Sequence, residues 1–204
     1  MSDLRQETVD TYNRSAAQLA EYFRGIGPRL KYIETAFKLA GNPTKARVVE
    51  IGCGDGRDAK EIVKRTGWYL GFDISRALIE LAREHVPEGK FEVADAAIFE
   101  FPEKLDIIFA FASLLHLNKN EIRGVFRRAA KTLNPGGIFY ISSKYSPAYE
   151  EGIKEDQYGK RLFYFYNAKI IQKLAGTNYE VVKTWREIHG HTEWFEIALK
   201  KTSQ

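Results

Sequence analysis

The feature that most constrains this chain is the stretch VVEIGCGDGRD at residues 48–58. β-branched residues typical of a buried strand run directly into glycines at positions 52, 54 and 56, and helix-forming residues follow. Glycine permits backbone with φ above zero and lets a ligand approach the main chain closely. The stretch therefore predicts a strand, a ligand-binding turn and a helix in succession.

Further strand patterns alternate with helical patterns along the central part of the chain. Besides residues 46–51, the strand candidates are residues 67–73, 89–95, 105–112 and 136–144. The clearest intervening helix follows Asn118, which lies three residues before Glu121 as a predicted capping box. Parallel strands need connections long enough to hold a helix. We therefore predict an α/β fold with a doubly wound, mostly parallel sheet.

The two ends of the chain follow other patterns. Residues 3–24 are predicted as one helix and a second helix runs from Pro28 to Gly41. After Lys144 we expect irregular chain to residue 160, a strand at 161–167, a helix near 168–175 and two strands around Gly190. We interpret residues 1–204 as a single domain, with 1–41 as a helical lid and 145–167 as an insertion on the substrate side.

Composition narrows the function classes. The 204 residues carry a formal charge of +4, but basic and acidic residues alternate, which does not indicate nucleic-acid binding. The single cysteine excludes an internal disulfide, and no cysteine-histidine spacing predicts a metal site. The polar start and the lack of a long apolar run lead us to expect a soluble, cytoplasmic protein without a membrane partner.

The residues around the glycines indicate the chemistry of the ligand. The dinucleotide fingerprint needs a small residue where Arg57 stands, and no Walker loop is present. Glu50 and Asp55 would repel a phosphate and favour a cation. We therefore expect a phosphate-free nucleoside that carries positive charge.

The run VVEIGCGDG resembles the first motif of the class I S-adenosylmethionine-dependent methyltransferases, and the resemblance extends over residues 12 to 144. It implies a Rossmann-like sheet of seven strands with an antiparallel strand at the C-terminus, and S-adenosylmethionine as cofactor. Later elements of the motif pattern are GFDIS, VADA, DIIFAFASLLHL and TLNPGGIFYISSK. SLLH and SSKY also resemble the tellurite-resistance-type branch.

The resemblance implies a role for particular residues. Asp73 would accept hydrogen bonds from both ribose hydroxyls, Asp95 would accept from the adenine amino group beside the N–H of Ala96, and Phe111 would line the cofactor. Tyr12 lies on an N-terminal helix that would cover the cofactor. The full set of expected cofactor-binding residues is Tyr12, Glu50, Gly52, Cys53, Gly54, Asp73, Ile74, Asp95, Ala96 and Phe111.

Candidates for the chemistry itself are fewer. His116 follows the fourth strand and is a candidate general base, although a structural histidine fits the same position. Lys144, Tyr164 and Tyr166 are candidate substrate-binding residues, and Arg161 could hold an acidic group or belong to a solvated face.

The expected function is methyl transfer from S-adenosylmethionine to a small-molecule acceptor by in-line displacement. This chemistry needs alignment and water exclusion more than a covalent intermediate. A noncatalytic cofactor-binding or regulatory protein, a nucleotide-dependent oxidoreductase and a nucleic-acid methyltransferase remain as alternatives. The sequence leaves the acceptor atom and the oligomeric state open.

Overall fold

A computed structural model describes residues 3–202, which form a central sheet with helices on both faces. The helices are α1 (Asp3–Arg14), α2 (Ala16–Ile26), α3 (Leu30–Leu39), α4 (Ala59–Ile62), α5 (Arg76–His85), α6 (Lys119–Thr132) and α7 (Ala168–Ala175). The strands are β1 (Arg47–Ile51), β2 (Trp68–Asp73), β3 (Lys90–Val93), β4 (Leu105–Phe111), β5 (Leu133–Lys144), β6 (Glu150–Asp156), β7 (Gly159–Phe165), β8 (Tyr179–His189) and β9 (Thr192–Lys201). Short 3₁₀ turns occupy Val63–Arg65, Leu114–His116 and Gly176–Asn178.

The main sheet has seven strands within the described residues, in the order β3-β2-β1-β4-β5-β9-β8. The strands from β3 to β5 are parallel, and β9 runs antiparallel to both β5 and β8. The predicted doubly wound, Rossmann-like sheet is therefore confirmed. The strand order reverses between β1 and β4, so the glycine turn after β1 lies at the point where such sheets bind ligands.

Both faces of the sheet are covered by apolar helix faces. On one face, α6 buries Ile122, Val125, Phe126 and Ala129, and α7 packs beside it. The other face is covered by α3, α4 and α5. The predicted capping box of Asn118 and Glu121 is present and begins α6. No helix among residues 3–202 is both long enough and apolar enough to cross a membrane.

The N-terminal helical region differs from the prediction. In place of one helix over residues 3–24 there are two, α1 and α2, which meet at Ser15. The Ser15 hydroxyl donates to the carbonyl of Tyr158, 2.8 Å away, and so fixes the break against a distant loop. The next helix begins at Leu30 and not at Pro28. Residues 1 and 2 of the predicted lid lie outside the described residues.

The stretch predicted as irregular, residues 145–160, also differs. It forms β6 and the turn into β7, and these two strands make an antiparallel hairpin separate from the main sheet. The strand β6 is almost entirely exposed, so EEGIKED shows no apolar alternation from which it could be predicted. A bridge between Tyr145 and Tyr166 brings the ends of the hairpin segment together.

Helix α1 packs along the free edge of this hairpin. The hydroxyl of Thr11 donates to the carbonyl of Lys160 (2.8 Å), and the N–H of Leu162 donates to the hydroxyl of Thr8 (2.8 Å). Polar side chains on one helix face therefore satisfy the backbone of an edge strand that has no partner strand on that side.

Candidate functional site

The glycine turn after β1 is fixed by close contact with the loop after β4. The N–H groups of Gly52 and Cys53 both donate to the carbonyl of Phe72 (2.7 and 3.1 Å), which ties the turn to the end of β2. Gly52 has φ of +67°, and a Cβ there would lie 2.3 Å from the Cβ of Ser113. Only glycine fits this position, because both the conformation and the approach exclude a side chain.

Asp73, at the end of β2, faces the glycine turn. Its carboxylate accepts hydrogen bonds from the N–H of Gly54 (3.1 Å) and the N–H of Ser75 (2.9 Å). The side chain that caps α5 is Ser75, which accepts from Leu78. Burial raises the pKa of Asp73, while these backbone donors lower it. The carboxylate is therefore held at the turn and is not itself the helix cap.

A cavity opens between this turn, the loops after β2, β3 and β4, and helix α1. Nine of the ten residues predicted to bind the cofactor line it, and so does His116. The nine are Tyr12, Gly52, Cys53, Gly54, Asp73, Ile74, Asp95, Ala96 and Phe111. We refer to this space as the first cavity.

Glu50 is the predicted cofactor residue that does not line the first cavity. It is buried behind the turn, where the hydroxyl of Tyr69 donates to its carboxyl group (2.6 Å). Burial and the nearby Asp58 raise the pKa of Glu50 well above its usual value. Glu50 therefore lies behind the first cavity, and its contact with a cofactor stays a prediction; the acids that face the cavity are Asp55, Asp58, Asp73 and Asp95.

Asp58 and its two arginines were not predicted as site residues. Asp58 accepts from the side chains of Arg29 (2.6 Å) and Arg57 (2.7 Å), and all three line the first cavity. Arg57 was read only as a mismatch to the dinucleotide fingerprint. In the sequence DGRD, Arg57 directly precedes Asp58, and this adjacency was the signal that could have indicated their ion pair.

Asp95 is placed by a turn and by α1. Its Oδ1 accepts from the N–H of Ala97 (2.8 Å) and from the guanidinium of Arg5 (2.5 Å), which also contacts Glu121 at 3.1 Å. Arg5 lines the first cavity, and its role was not predicted. Nothing in the local sequence indicates that α1 reaches Asp95.

His116 and Tyr12 form a buried pair. The Nδ1 of His116 lies 2.7 Å from the carbonyl of Leu162, which can only accept, so Nδ1 carries the proton. The other nitrogen, Nε2, lies 2.8 Å from the hydroxyl of Tyr12 and accepts its hydrogen bond. Burial, together with Arg161, Lys144 and Arg5, lowers the pKa of His116 to about 4, against an opposing effect from the hydrogen bond to Leu162. The imidazole is neutral at pH 7.

A second cavity of about 1000 Å³ lies next to the first. The two share part of their walls, including Tyr12, Phe23 and Ala112. The floor of the second cavity is the face of β5 and β9 that carries Lys144 and Glu196, and its side is the β6–β7 hairpin. Burial raises the pKa of Glu196 to about 8.

Two predicted substrate-binding tyrosines lie elsewhere. Tyr166 is fully buried in the core, and its hydroxyl donates to the carbonyl of Leu117 (2.7 Å). Tyr164 packs against Tyr149. Neither Tyr164 nor Tyr166 lines the first or the second cavity. Alternation along β7 turns Arg161 and Phe163 into the second cavity instead. The face of β7 that lines the second cavity is therefore the one with Arg161 and Phe163, opposite to the face that carries Tyr164.

Comparison with known proteins identifies related sequences and folds. Residues 48–137 match the family model described as a methyltransferase domain. The chain is 34% identical over 102 residues to trans-aconitate 2-methyltransferase of Variovorax paradoxus, covering 48% of this chain and 39% of that protein. It is 29% identical over 121 residues to ubiquinone biosynthesis O-methyltransferase of Stutzerimonas stutzeri, covering 56% of this chain and 50% of that protein. The matches thus span half or less of these relatives.

Among solved structures, one similar fold is that of 1,6-didemethyltoxoflavin-N1-methyltransferase from Burkholderia thailandensis. The TM-score is 0.77 at 16% sequence identity, with 100% of this chain and 92% of that chain covered. That structure contains bound 1,6-didemethyltoxoflavin and S-adenosylhomocysteine. At this identity the likeness concerns the fold.

Proposed function

We propose, from the premise that this chain carries a class I S-adenosylmethionine-dependent methyltransferase domain, that it methylates a small molecule bound in the second cavity. The observation that carries the proposal is the shared wall of the two cavities. A cofactor in the first cavity and an acceptor in the second would meet beside Tyr12 and Ala112.

The first cavity suits the cofactor's chemistry. Asp73 stands at the end of β2 with two backbone donors holding it, ready to accept from ribose hydroxyls. Asp95 and the N–H of Ala96 would face the adenine ring, and the glycine turn with Asp55 and Asp58 would face the amino-acid end. The buried hydroxyl of Ser113, at the wall of this cavity, has no hydrogen-bond partner among the described residues. A ligand in the cavity would satisfy it.

S-adenosylmethionine supplies an electrophilic methyl group on a sulfonium. When an acceptor atom attacks, the bond from that atom to the methyl carbon forms, the sulfur–carbon bond breaks and its electron pair returns to sulfur. The protein's part is to hold the acceptor in line and keep water out. Helix α1, pinned to the hairpin by Thr8, Thr11 and Ser15, covers the junction where this would occur.

Tyr12, and not His116, would face the acceptor, because Tyr12 lines both cavities and its hydroxyl covers the Nε2 of His116. With a pKa of about 4, the imidazole is a weak acceptor of protons at neutral pH. We therefore assign His116 to positioning: it fixes the direction of the Tyr12 hydroxyl.

The test has two stages. Titration calorimetry should show S-adenosylhomocysteine binding to the folded protein, and S-adenosylmethionine should then be consumed with a panel of carboxylates, phenols, amines and thiols. Formation of S-adenosylhomocysteine dependent on one acceptor class supports the proposal. Tight cofactor binding with no turnover on any class would instead indicate a noncatalytic cofactor-binding protein.

A further inference from the structure

We infer that the second cavity binds a small organic carboxylate with an apolar body, and that Lys144 with Arg161 holds the carboxylate group. The inference rests on the proposed function only in identifying this carboxylate as the methyl acceptor. Binding itself is a property of the cavity and can be measured without turnover.

The first observation is that two cations lie against one aromatic ring. The Nζ of Lys144 lies 4.4 Å from the centroid of the Phe163 ring, and the guanidinium carbon of Arg161 lies 5.6 Å from the same centroid. Both side chains line the second cavity. Each cation is stabilised by its interaction with the face of the ring, but the two cations repel each other in these partly buried surroundings. A bound anion would remove that repulsion.

The second observation is that the protein neutralises this positive charge only in part. Arg161 pairs with Asp156, yet its buried Nε has no hydrogen-bond partner among the described residues. Elsewhere in the cavity wall, Arg29 and Arg57 share Asp58, and Lys31 pairs with Glu187. Of the lysines and arginines in the described part of this wall, Lys144 alone has no carboxylate within ion-pair distance.

Electrostatics around Lys144 agree with this picture. Burial, together with Lys154 and Arg161, lowers the pKa of Lys144 to about 8, against an opposing effect from Asp156. His116, on the neighbouring element, is neutral at pH 7. Glu196, two residues along the same face from Lys144 across the β5–β9 pairing, has a pKa raised to about 8 and does not supply a full negative charge at pH 7.

The charge beside the Phe163 ring suits one carboxylate. Lys144 and Arg161 carry two positive charges and Asp156 one negative charge, so this end of the cavity offers about one net positive charge. The rest of the wall includes Tyr22, Phe23, Ile26, Leu115 and Trp194, which would pack against an apolar or aromatic body. A ligand that arrives already ionised also needs no general base, which fits the low pKa of His116.

The experiment compares acids with their uncharged amides. Trans-cinnamate, indole-3-acetate and octanoate are each titrated against the protein with S-adenosylhomocysteine present at pH 7, alongside the corresponding primary amides. We expect at least one acid to bind about tenfold or more tightly than its amide, because a hydrogen bond to a charged group contributes about 1.5–3 kcal/mol.

Three variants locate the effect. Lys144→Gln should weaken binding of that acid about tenfold or more and leave its amide unaffected, whereas Lys144→Arg should retain the preference. Lys154→Gln is the matched control, because it removes an equal charge from an exposed position near Lys144 but outside the cavity. The inference is overturned if every acid binds no better than its amide, or if the two glutamine variants weaken binding equally.

The pH dependence gives a separate readout. As pH rises through about 8, Lys144 loses its proton and Glu196 on the same face gains a negative charge, so affinity for the acid should decrease above that pH in the wild type. In Lys144→Arg the decrease should be smaller, because only the change at Glu196 remains. Acid binding that depends on Lys144, without any S-adenosylhomocysteine formed from S-adenosylmethionine, would refute the proposed function and leave this inference standing.

Discussion

The two cavities that meet at Tyr12 are built in different ways. Apart from α1, Phe23 and Arg29, the first cavity is formed by residues 51–117, and almost all of these lie in turns at the carboxyl ends of neighbouring parallel strands. The second takes residues from α1 to α3, the end of β5, the hairpin and β9. The first presents several aspartates, and the second contains Lys144, which has no carboxylate partner among the described residues. The general geometry of parallel sheets shapes the first cavity, and long-range packing shapes the second.

The largest effect that separates the two cavities should come from Asp73→Asn. This variant keeps the size of the side chain and removes the charge that would accept from two ribose hydroxyls. Affinity for S-adenosylhomocysteine should decrease about tenfold or more, since bonds to a charged group contribute about 1.5–3 kcal/mol each. Calorimetry measures this.

Glu92→Gln is the control for Asp73→Asn, because Glu92 is an exposed acid on β3, which pairs with β2. It should bind cofactor like the wild type. If Asp73→Asn also binds cofactor like the wild type, Asp73 stabilises only the local turn. The first cavity would then not be distinguished from the second by a carboxylate that binds cofactor.

Variants of Tyr12 and His116 test the role of the hydrogen-bonded pair that lies where the two cavities meet. Tyr12→Phe and His116→Asn should each lower kcat about two- to twelvefold, because each loses one hydrogen bond of about 0.5–1.5 kcal/mol net. The double variant should be no slower than the slower single variant, since both changes remove one interaction. Steady-state kinetics with the identified acceptor measures this.

Tyr149→Phe provides the matched control, because Tyr149 lines neither cavity. A loss of a hundredfold or more in His116→Asn alone would contradict the positioning role, because losses of that size are typical of a general base. A reaction rate that decreases as a group with a pKa near 4 becomes protonated would also contradict the positioning role of His116.

The smallest effect should come from the contact that holds α1 over both cavities. Thr11→Val keeps the side-chain shape and removes the hydroxyl that donates to Lys160. A net loss of about 0.5–1 kcal/mol would weaken cofactor and carboxylate binding together, by about two- to fivefold. Thr35→Val is the control, since the hydroxyl of Thr35 bonds only within α3, to Lys31. A loss confined to one ligand would show that α1 does not act on both cavities.

The sequence alone was sufficient to predict the main sheet and nine of the residues that line the first cavity. Strands such as residues 105–111 and the turn at Gly52 carry local signals, because apolar runs and glycine spacing reflect structure within a few residues. The burial of Glu50 against Tyr69 could not be predicted, because its position on β1 does not indicate which face of the strand it occupies. Tyr69 could be recognised as its partner only from the packing of β2 beside β1.

The second cavity could not be predicted in the same way. Lys144, Arg161 and Tyr12 lie far apart along the chain, and no local pattern records that one ring, Phe163, brings two of them together. The exposed strand β6 has no apolar alternation, so the hairpin itself was missed. With β7 unpaired in the prediction, there was no basis for choosing which of its faces turns inward.

The bridge between Tyr145 and Tyr166 determines how much the hairpin segment can vary. The chain leaves the main sheet at one tyrosine and returns beside it at the other, with the N–H of Ser146 donating to the carbonyl of Tyr166 (2.9 Å). The twenty residues or so between them form a unit whose two ends coincide, so a change in its length need not alter the register of β5 or the start of α7. Its sequence can vary most freely on the exposed strand β6, whereas the carbonyls of Lys160 and Leu162 on β7 must stay in place to accept from Thr11 and His116.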